Sequence, residues 1–208
     1  MTASGVIVGL GNPGPKYRET RHNAGFQLAE RLAERWGGAW RDERKFFASL
    51  AECRFGERRW LLCRPQTYMN ASGEAVGPLA TFHRVPPDRV LVLVDDADLP
   101  LGTLRLRPEG SPGGHHGLES VEQHLGTRGY PRLRLGIARP EQTRRDLVGH
   151  VLGQLTDADR PAWELMLQRA ATQVECWATA GISVAMNRHN GPASTGSDTS
   201  VNAERKTQ

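Results

Sequence analysis

The stretch RVLVLVDDADLP at residues 89–100 constrains the fold of this chain more than any other segment, because an unbroken aliphatic run ends abruptly in carboxylates. A strand with one wet face alternates apolar with polar residues. A strand without alternation has to be buried on both faces, which the centre of a helix-covered parallel sheet provides. The carboxyl end of this strand delivers Asp95. Val6-Ile7-Val8 is a second buried run; it ends at Gly9 and feeds a Gly/Pro loop that reaches Tyr17. From Asn23 to Trp36, Phe26, Leu28, Ala29, Leu32, Ala33 and Trp36 recur at helical spacing, and Gly37-Gly38 stop that helix.

The same reading gives a hairpin from residues 46–53 and 59–64 around Phe55-Gly56-Glu57, and a helix capped by Asn70 or Ser72 that runs to about His83. After Gly102 comes a strand with Arg105 and Arg107 alternating, then the glycine-rich PEGSPGGHHGL and a helix to about Leu125. RLRLGIA alternates again, with Arg132 and Arg134 on one face and Leu133 and Leu135 on the other. Residues 157–179 read as a long amphipathic helix. The predicted fold class is α/β: a single domain over residues 1–190, its central, mostly parallel mixed twisted sheet flanked by helices on both faces. Residues 191–208 are small, polar and aperiodic, which predicts a disordered tail.

At 208 residues, 38% apolar and 24% charged, the chain has enough material for a real core. No apolar run approaches the roughly 20 residues that span a bilayer, and MTASGVIVGLGNPG has neither a basic start nor a cleavage site. Neither export nor membrane insertion is expected. Cys53, Cys63 and Cys176 are odd in number and widely spaced, which fits a reducing cytoplasm better than a disulfide framework. The formal charge is +4, and of 27 basic residues only Lys16, Lys45 and Lys206 are lysines, a bias that suits bidentate contact with phosphate. Residues 99–139 carry Arg105, Arg107, Arg128, Arg132, Arg134 and Arg139 against Glu109, Glu119 and Glu122, just after the acidic cluster Asp95, Asp96 and Asp98. A basic surface beside a carboxylate-bearing site suits an enzyme that acts on a polyanion.

Gly9-Leu10-Gly11-Asn12-Pro13-Gly14 matches the GxGxxG of dinucleotide-binding loops. Pro13 and Pro15, however, remove backbone donors where a pyrophosphate would sit, and the acidic ribose ligand would fall near Glu30 or Glu34, inside a helix. In open α/β sheets the carboxyl ends of strands face a common crevice, so Asn12 and Asp95 can meet there, with His22 at the start of the following helix. A histidine held by a carboxylate is fixed in one tautomer and becomes the better base, which activates water without a metal. Asn70 reads equally as a simple N-cap or as an amide directed at substrate. His115-His116 could suggest a metal. Adjacent histidines rarely chelate one ion from a helix start, though, and no HExxH, paired CxxC or Asp-rich set accompanies them, so no metal is expected. Neither GxSxG nor a P-loop occurs.

In order and spacing, VGLGNPGPKYRETRHNAGF, QTYMNASGEAV, VDDADLPLGTLRLR, GGHHGLES and RLRLGIARP resemble the bacterial peptidyl-tRNA hydrolase family, over about residues 5–190. The resemblance implies a monomeric single-domain enzyme, free of metal and cofactor, that cuts the ester joining a peptide to the 3′-terminal ribose of tRNA. It implies His22 as the catalytic histidine, Asp95 as its orienting carboxylate and Asn12 as the residue that positions the reacting groups. Asn70 would hold the peptide backbone, with Tyr68 in the same substrate-binding stretch and Tyr17 near the tRNA 3′ end. Arg107 and Arg134 would grip phosphate at the acceptor end, and residues 149–155 would form a flap. One position departs from the family: His116 stands where the family usually has a peptide-contacting Asn. A tRNA- or RNA-binding protein that no longer hydrolyses anything is the alternative of a different class, and a dinucleotide-dependent oxidoreductase is the third.

Overall fold

The structure, a computed structural model, describes residues 3–138 and 147–192, so Arg139 and the tail from residue 193 onward lie outside the described residues. Along the chain run β1 (Gly5–Gly9), α1 (Ala24–Arg35), β2 (Trp40–Glu43), β3 (Ala48–Phe55), β4 (Arg58–Pro65), α2 (Ser72–His83), β5 (Val90–Asp96) and β6 (Thr103–Arg107). These are followed by α3 (His116–Leu125), β7 (Arg132–Gly136), α4 (Leu147–Leu152), α5 (Arg160–Ala180), α6 (Ile182–His189) and β8 (Gly191–Pro192). The strands form one mixed sheet in the order β2-β3-β4-β1-β5-β7-β6-β8. Its four central strands, β4, β1, β5 and β7, are mutually parallel, while β2, β3, β6 and β8 pair antiparallel on the flanks.

β5 sits in the middle, as its unbroken aliphatic run requires. Leu91 and Leu93 point to one face, where they pack with Ile7, Leu62, Leu133 and Leu135 against α1 and α5. Val92 and Val94 point to the other, with Val6, Val8 and Cys63, against α2 and α3. Each fully buried aliphatic of this kind contributes about 1.5–3 kcal/mol relative to exposure. Among the described residues no helix is long and apolar enough to cross a membrane.

Three readings of the sequence are revised. Neither Asn70 nor Ser72 caps α2: a 3₁₀ turn, Met69–Ala71, precedes the helix, Ala71 occupies the cap position, and the Ser72 hydroxyl donates to the Met69 carbonyl. The helix read at 157–179 starts at Arg160 and breaks at Gly181 (φ 86°) into α6, which leads to β8 on the far edge of the sheet. Arg132 shares a face with Arg134 as expected but is 1% exposed, so it is no part of a basic surface. Its donors go to the carbonyls of Tyr130, Gly110 and Arg128, and its guanidinium lies over the Tyr130 ring.

One close approach fixes the segment that precedes α1. Gly25, in the first turn of α1, presses on the β1–β5 seam so tightly that a Cβ there would lie 2.3 Å from the Leu93 carbonyl oxygen. The helix start is tied to the sheet by a bond from the Phe26 N–H to the Leu10 carbonyl. Residues just before α1 are thereby held over the carboxyl end of β5.

Candidate active site

His22 lies in the 3₁₀ turn Arg21–Asn23 that runs into α1, and Asp95 ends β5. The fold brings them together: His22 Nδ1 is 3.0 Å from each carboxylate oxygen of Asp95. Asp95 is 2% exposed. It receives a second histidine, His115, whose Nε2 is 3.1 Å from Oδ1. Because His115 is the N-cap of α3, its Nδ1 accepts from the Gly117 and Leu118 backbone N–H groups, so the ring proton sits on Nε2 and is donated to Asp95. Asp95 in turn accepts from His22 Nδ1–H, leaving Nε2 as that ring's basic nitrogen. Sequence reasoning brought His22 and Asp95 to one crevice, where the structure has them in contact, but took His115 only as half of a His-His pair. The signal was a histidine immediately before a helix, a cap position whose acceptor demand fixes the tautomer.

Electrostatics follow from this arrangement. Burial works against ionising Asp95, yet the two histidines outweigh it and hold the carboxyl well below the usual range. For His22, burial is the largest single influence and favours the neutral ring. The charge of Asp95 and its hydrogen bond together exceed that, and the imidazole is raised above its ordinary value.

Asn12, 8% exposed, is held by the loops around it. Its N–H donates to Asn23 Oδ1 (2.8 Å), its carbonyl accepts from Asn23 Nδ2 (3.0 Å), and its side-chain oxygen accepts from the Met69 N–H (2.8 Å). With the oxygen occupied, the Asn12 amide offers its NH₂ to the cleft. The Asn12–Met69 bond also draws the Tyr68–Asn70 segment to this end of the sheet, where Tyr68 and Asn70 are exposed.

Asn12, His22, Asp95 and His115 line a cavity of about 370 Å³, together with Asp96, the Gly113-Gly114 backbone, His116, Arg134, and Val151 and Leu152 of α4. The segment after α4 is strapped to the His22 turn: Arg21 donates to the Gln154 carbonyl at 2.9 Å and pairs with Asp159 at 2.9 Å. His116 is 75% exposed at the rim, its Nδ1 3.0 Å from Glu119. Arg134 is tied down by Asp96 (3.1 Å) and the Ser111 carbonyl (2.8 Å). Tyr17, half-buried with the Lys16 ammonium 4.6 Å above its ring, and Arg107, exposed on β6, lie outside the cavity lining. Tyr68 and Asn70 also lie outside it.

The structure contradicts the geometry of a dinucleotide loop: the chain after β1 enters a 3₁₀ turn, Pro15–Tyr17, and no α-helix begins before Ala24. For a metal, the candidate group among the described residues is His22, Asp95 and His115, with ligand atoms within 4.8 Å of one another. They do not fit a cation as they stand, because the His115 tautomer set by α3 leaves no lone pair on the nitrogen that faces Asp95.

A buried carboxylate that fixes one nitrogen of an imidazole and leaves the other basic, at the crevice of an open α/β sheet, is the constellation of a general-base hydrolase. Comparison with known proteins narrows the class. The sequence model of the family described as "Peptidyl-tRNA hydrolase" matches residues 6–197. A peptidyl-tRNA hydrolase of Synechococcus sp. (strain JA-3-3Ab) is 50% identical over 186 residues, covering 89% of this chain and 82% of that protein. One from Symbiobacterium thermophilum is 46% identical over 192 residues, covering 89% and 98%. The crystal structure of peptidyl-tRNA hydrolase from Acinetobacter baumannii superposes with a TM-score of 0.86 at 34% identity, covering 93% of this chain and 97% of that one. The chain belongs to the peptidyl-tRNA hydrolase family.

Proposed function

We propose that this protein hydrolyses the ester between peptide and tRNA in peptidyl-tRNA, with His22 as general base. The observation that carries this reading is the Asp95 carboxylate on Nδ1 of His22, which leaves Nε2 to take a proton from water as the water attacks the ester carbonyl. The same nitrogen then returns a proton to the departing ribose oxygen. An alcohol leaves an ester far more readily than an amine leaves an amide, so one well-placed base suffices. The Asn12 NH₂ and neighbouring backbone N–H groups stabilise the oxyanion. Asn70 and Tyr68 hold the peptide from the exposed edge of the cleft, and Tyr17 packs near the tRNA 3′ end. His116 stands in for an amide at the peptide contact with one donor and one acceptor, its Nδ1 committed to Glu119.

Phosphate recognition falls to the face of the sheet that carries four arginines. Arg105 lies directly opposite Arg134, and Arg107 opposite Arg132. Like charges so placed destabilise a sheet by up to about 1 kcal/mol per pair. Internal carbonyls and Asp96 relieve the two β7 arginines; Arg105 and Arg107 face solvent, where an anionic backbone relieves them. Arg107 is therefore the phosphate grip, and Arg134 supports it from the cleft wall. The reading takes the protein as a monomer that acts in the cytoplasm, where translation supplies the substrate.

The test is incubation of the purified chain with labelled peptidyl-tRNA in excess EDTA, scoring free tRNA. Release is expected. His22→Ala is expected to lose at least about 100-fold while tRNA still binds; retention of more than a tenth of the activity would refute the assignment.

A further inference from the structure

We propose that His115 is a positioning residue of the reaction: locked by the start of α3 as a donor to Asp95, it shares that carboxylate with His22 and so keeps His22 available as a neutral base. The inference rests on the reading of His22 as the base. A carboxylate with a single imidazole donor concentrates its charge on that one partner and favours the imidazolium, which cannot accept a proton. Asp95 instead shares its charge between two rings through one oxygen: Oδ1 lies 3.0 Å from His22 Nδ1 and 3.1 Å from His115 Nε2, while Oδ2 faces His22 alone at 3.0 Å.

His115 cannot drift from this role. Its other nitrogen is occupied by the Gly117 and Leu118 N–H groups at 3.2 and 3.4 Å, so no alternative tautomer keeps both ends satisfied. The two ring centroids are 5.2 Å apart, so both rings sit side by side on the one carboxylate. Among the described residues, the other charged groups around His22 turn to other partners or to solvent. Arg134 pairs with Asp96, Arg21 with Asp159 and His116 with Glu119, while His150 of α4 turns to the Ile137 carbonyl and Asp98 is exposed. Among the described residues, the His115 bond is thus the side-chain hydrogen bond that Asp95 accepts besides that of His22.

Two substitutions separate tuning from support of the helix. In His115→Asn the side-chain oxygen still caps α3, but the amide is too short to reach Asp95; in His115→Gln the amide N–H reaches the position of Nε2 and the cap is lost. The full-length variants are to be measured in two ways: the titration of the His22 ring by NMR without substrate, and the pH profile of kcat/KM. Both midpoints are expected to rise by about one unit in His115→Asn, with up to tenfold loss of rate on the acid side and recovery at alkaline pH, and to stay at the parent value in His115→Gln. A purely structural role would lower the rate at every pH and follow the loss of the cap. An unmoved midpoint in His115→Asn, or equal movement in both variants, would overturn the proposal. If the NMR midpoint moves while the rate profile does not, the role of His115 stands and His22 is not the base.

Discussion

Replacing Asp95 by Asn changes one oxygen to NH₂ and almost nothing in volume, which makes it the sharpest probe of the mechanism. The structure dictates how the new amide must orient. His115 can present only its Nε2–H, because α3 holds its Nδ1 as an acceptor, so the amide oxygen has to face His115 at the position of Oδ1. The NH₂ then occupies the position of Oδ2, 3.0 Å from His22 Nδ1, where two donors would meet, while Oδ1, equally 3.0 Å from that nitrogen, already accepts from His115. His22 escapes by moving its proton to Nε2 and accepting at Nδ1, which removes the lone pair that is to attack the proton of water. The corresponding wrong-tautomer change in serine-protease triads costs about 10⁴ in rate, and general-base catalysis as a whole is worth about 10² to 10⁴. A loss of about 10³ or more in single-turnover hydrolysis of peptidyl-tRNA is therefore expected, with tRNA affinity unchanged and nitrogen NMR of the ring showing the Nε2–H form. An Asn variant that keeps a tenth of the parent rate, or one that is slow while its ring keeps the Nδ1–H tautomer, would refute the reasoning.

The remaining predictions concern pH, charge and packing. Since His22 must be neutral to act and its imidazole is raised above the ordinary value of about 6.5, the acid limb of kcat/KM should have its midpoint above 6.5 and fall about tenfold per unit below it; a midpoint at or below 6.5 would contradict the Asp95 coupling. Arg107→Ala should raise KM for peptidyl-tRNA and reduce the slope of log K against log salt by about 1, while hydrolysis of a short ester fragment is unaffected. Gly25→Ala would put a methyl 2.3 Å from the Leu93 carbonyl oxygen, a backbone atom that cannot step aside, and should lower stability by about 2–3 kcal/mol in urea unfolding and lower kcat as well, because α1 carries the His22 turn.

Much of this architecture was legible because the informative residues obey simple periods. The aliphatic run of β5 has no wet face, so its central position and the crevice location of Asp95 follow from the sequence alone. α1 could be read from its apolar spacing, and β6 and β7 from their alternation. The edge strands were not legible for the same reason that they are edges: β2 is mostly solvent-facing and polar, and β8 is two residues long. Both owe their conformation to a neighbour rather than to a pattern of their own. Arg132 shows a different limit. Alternation assigns its face correctly, but its burial comes from the loop through Gly110, which folds over it with a carbonyl that no period encodes. His115 was missed because its significance lies in what its two nitrogens touch: the helix that follows it and a carboxylate twenty residues back.

The sheet order also decides how chemistry and recognition share the surface. Parallel β1, β5 and β7 end at the same edge, so Asn12 and Asp95 meet at the crevice. β6 runs the other way, with Leu104 level with Leu135 and Asp95, and carries its arginines away from that edge. From Asp95 to Arg107 there are two strand spacings of about 4.8 Å across the sheet and three residues of about 3.3 Å along it, or about 14 Å in all. On the proposed reading, Arg107 is therefore too far from the ester to take part in bond breaking and is left to hold a phosphate away from it. Arg105, two residues nearer, and Arg134, at the cleft wall, lie on the same face between Arg107 and the cleft. On the proposed reading, a substrate that engages these arginines would place its acyl group toward Asn12 and its RNA over β7 and β6. The separation explains why loss of Arg107 should appear in KM and salt dependence, and loss of His22 or Asp95 in kcat.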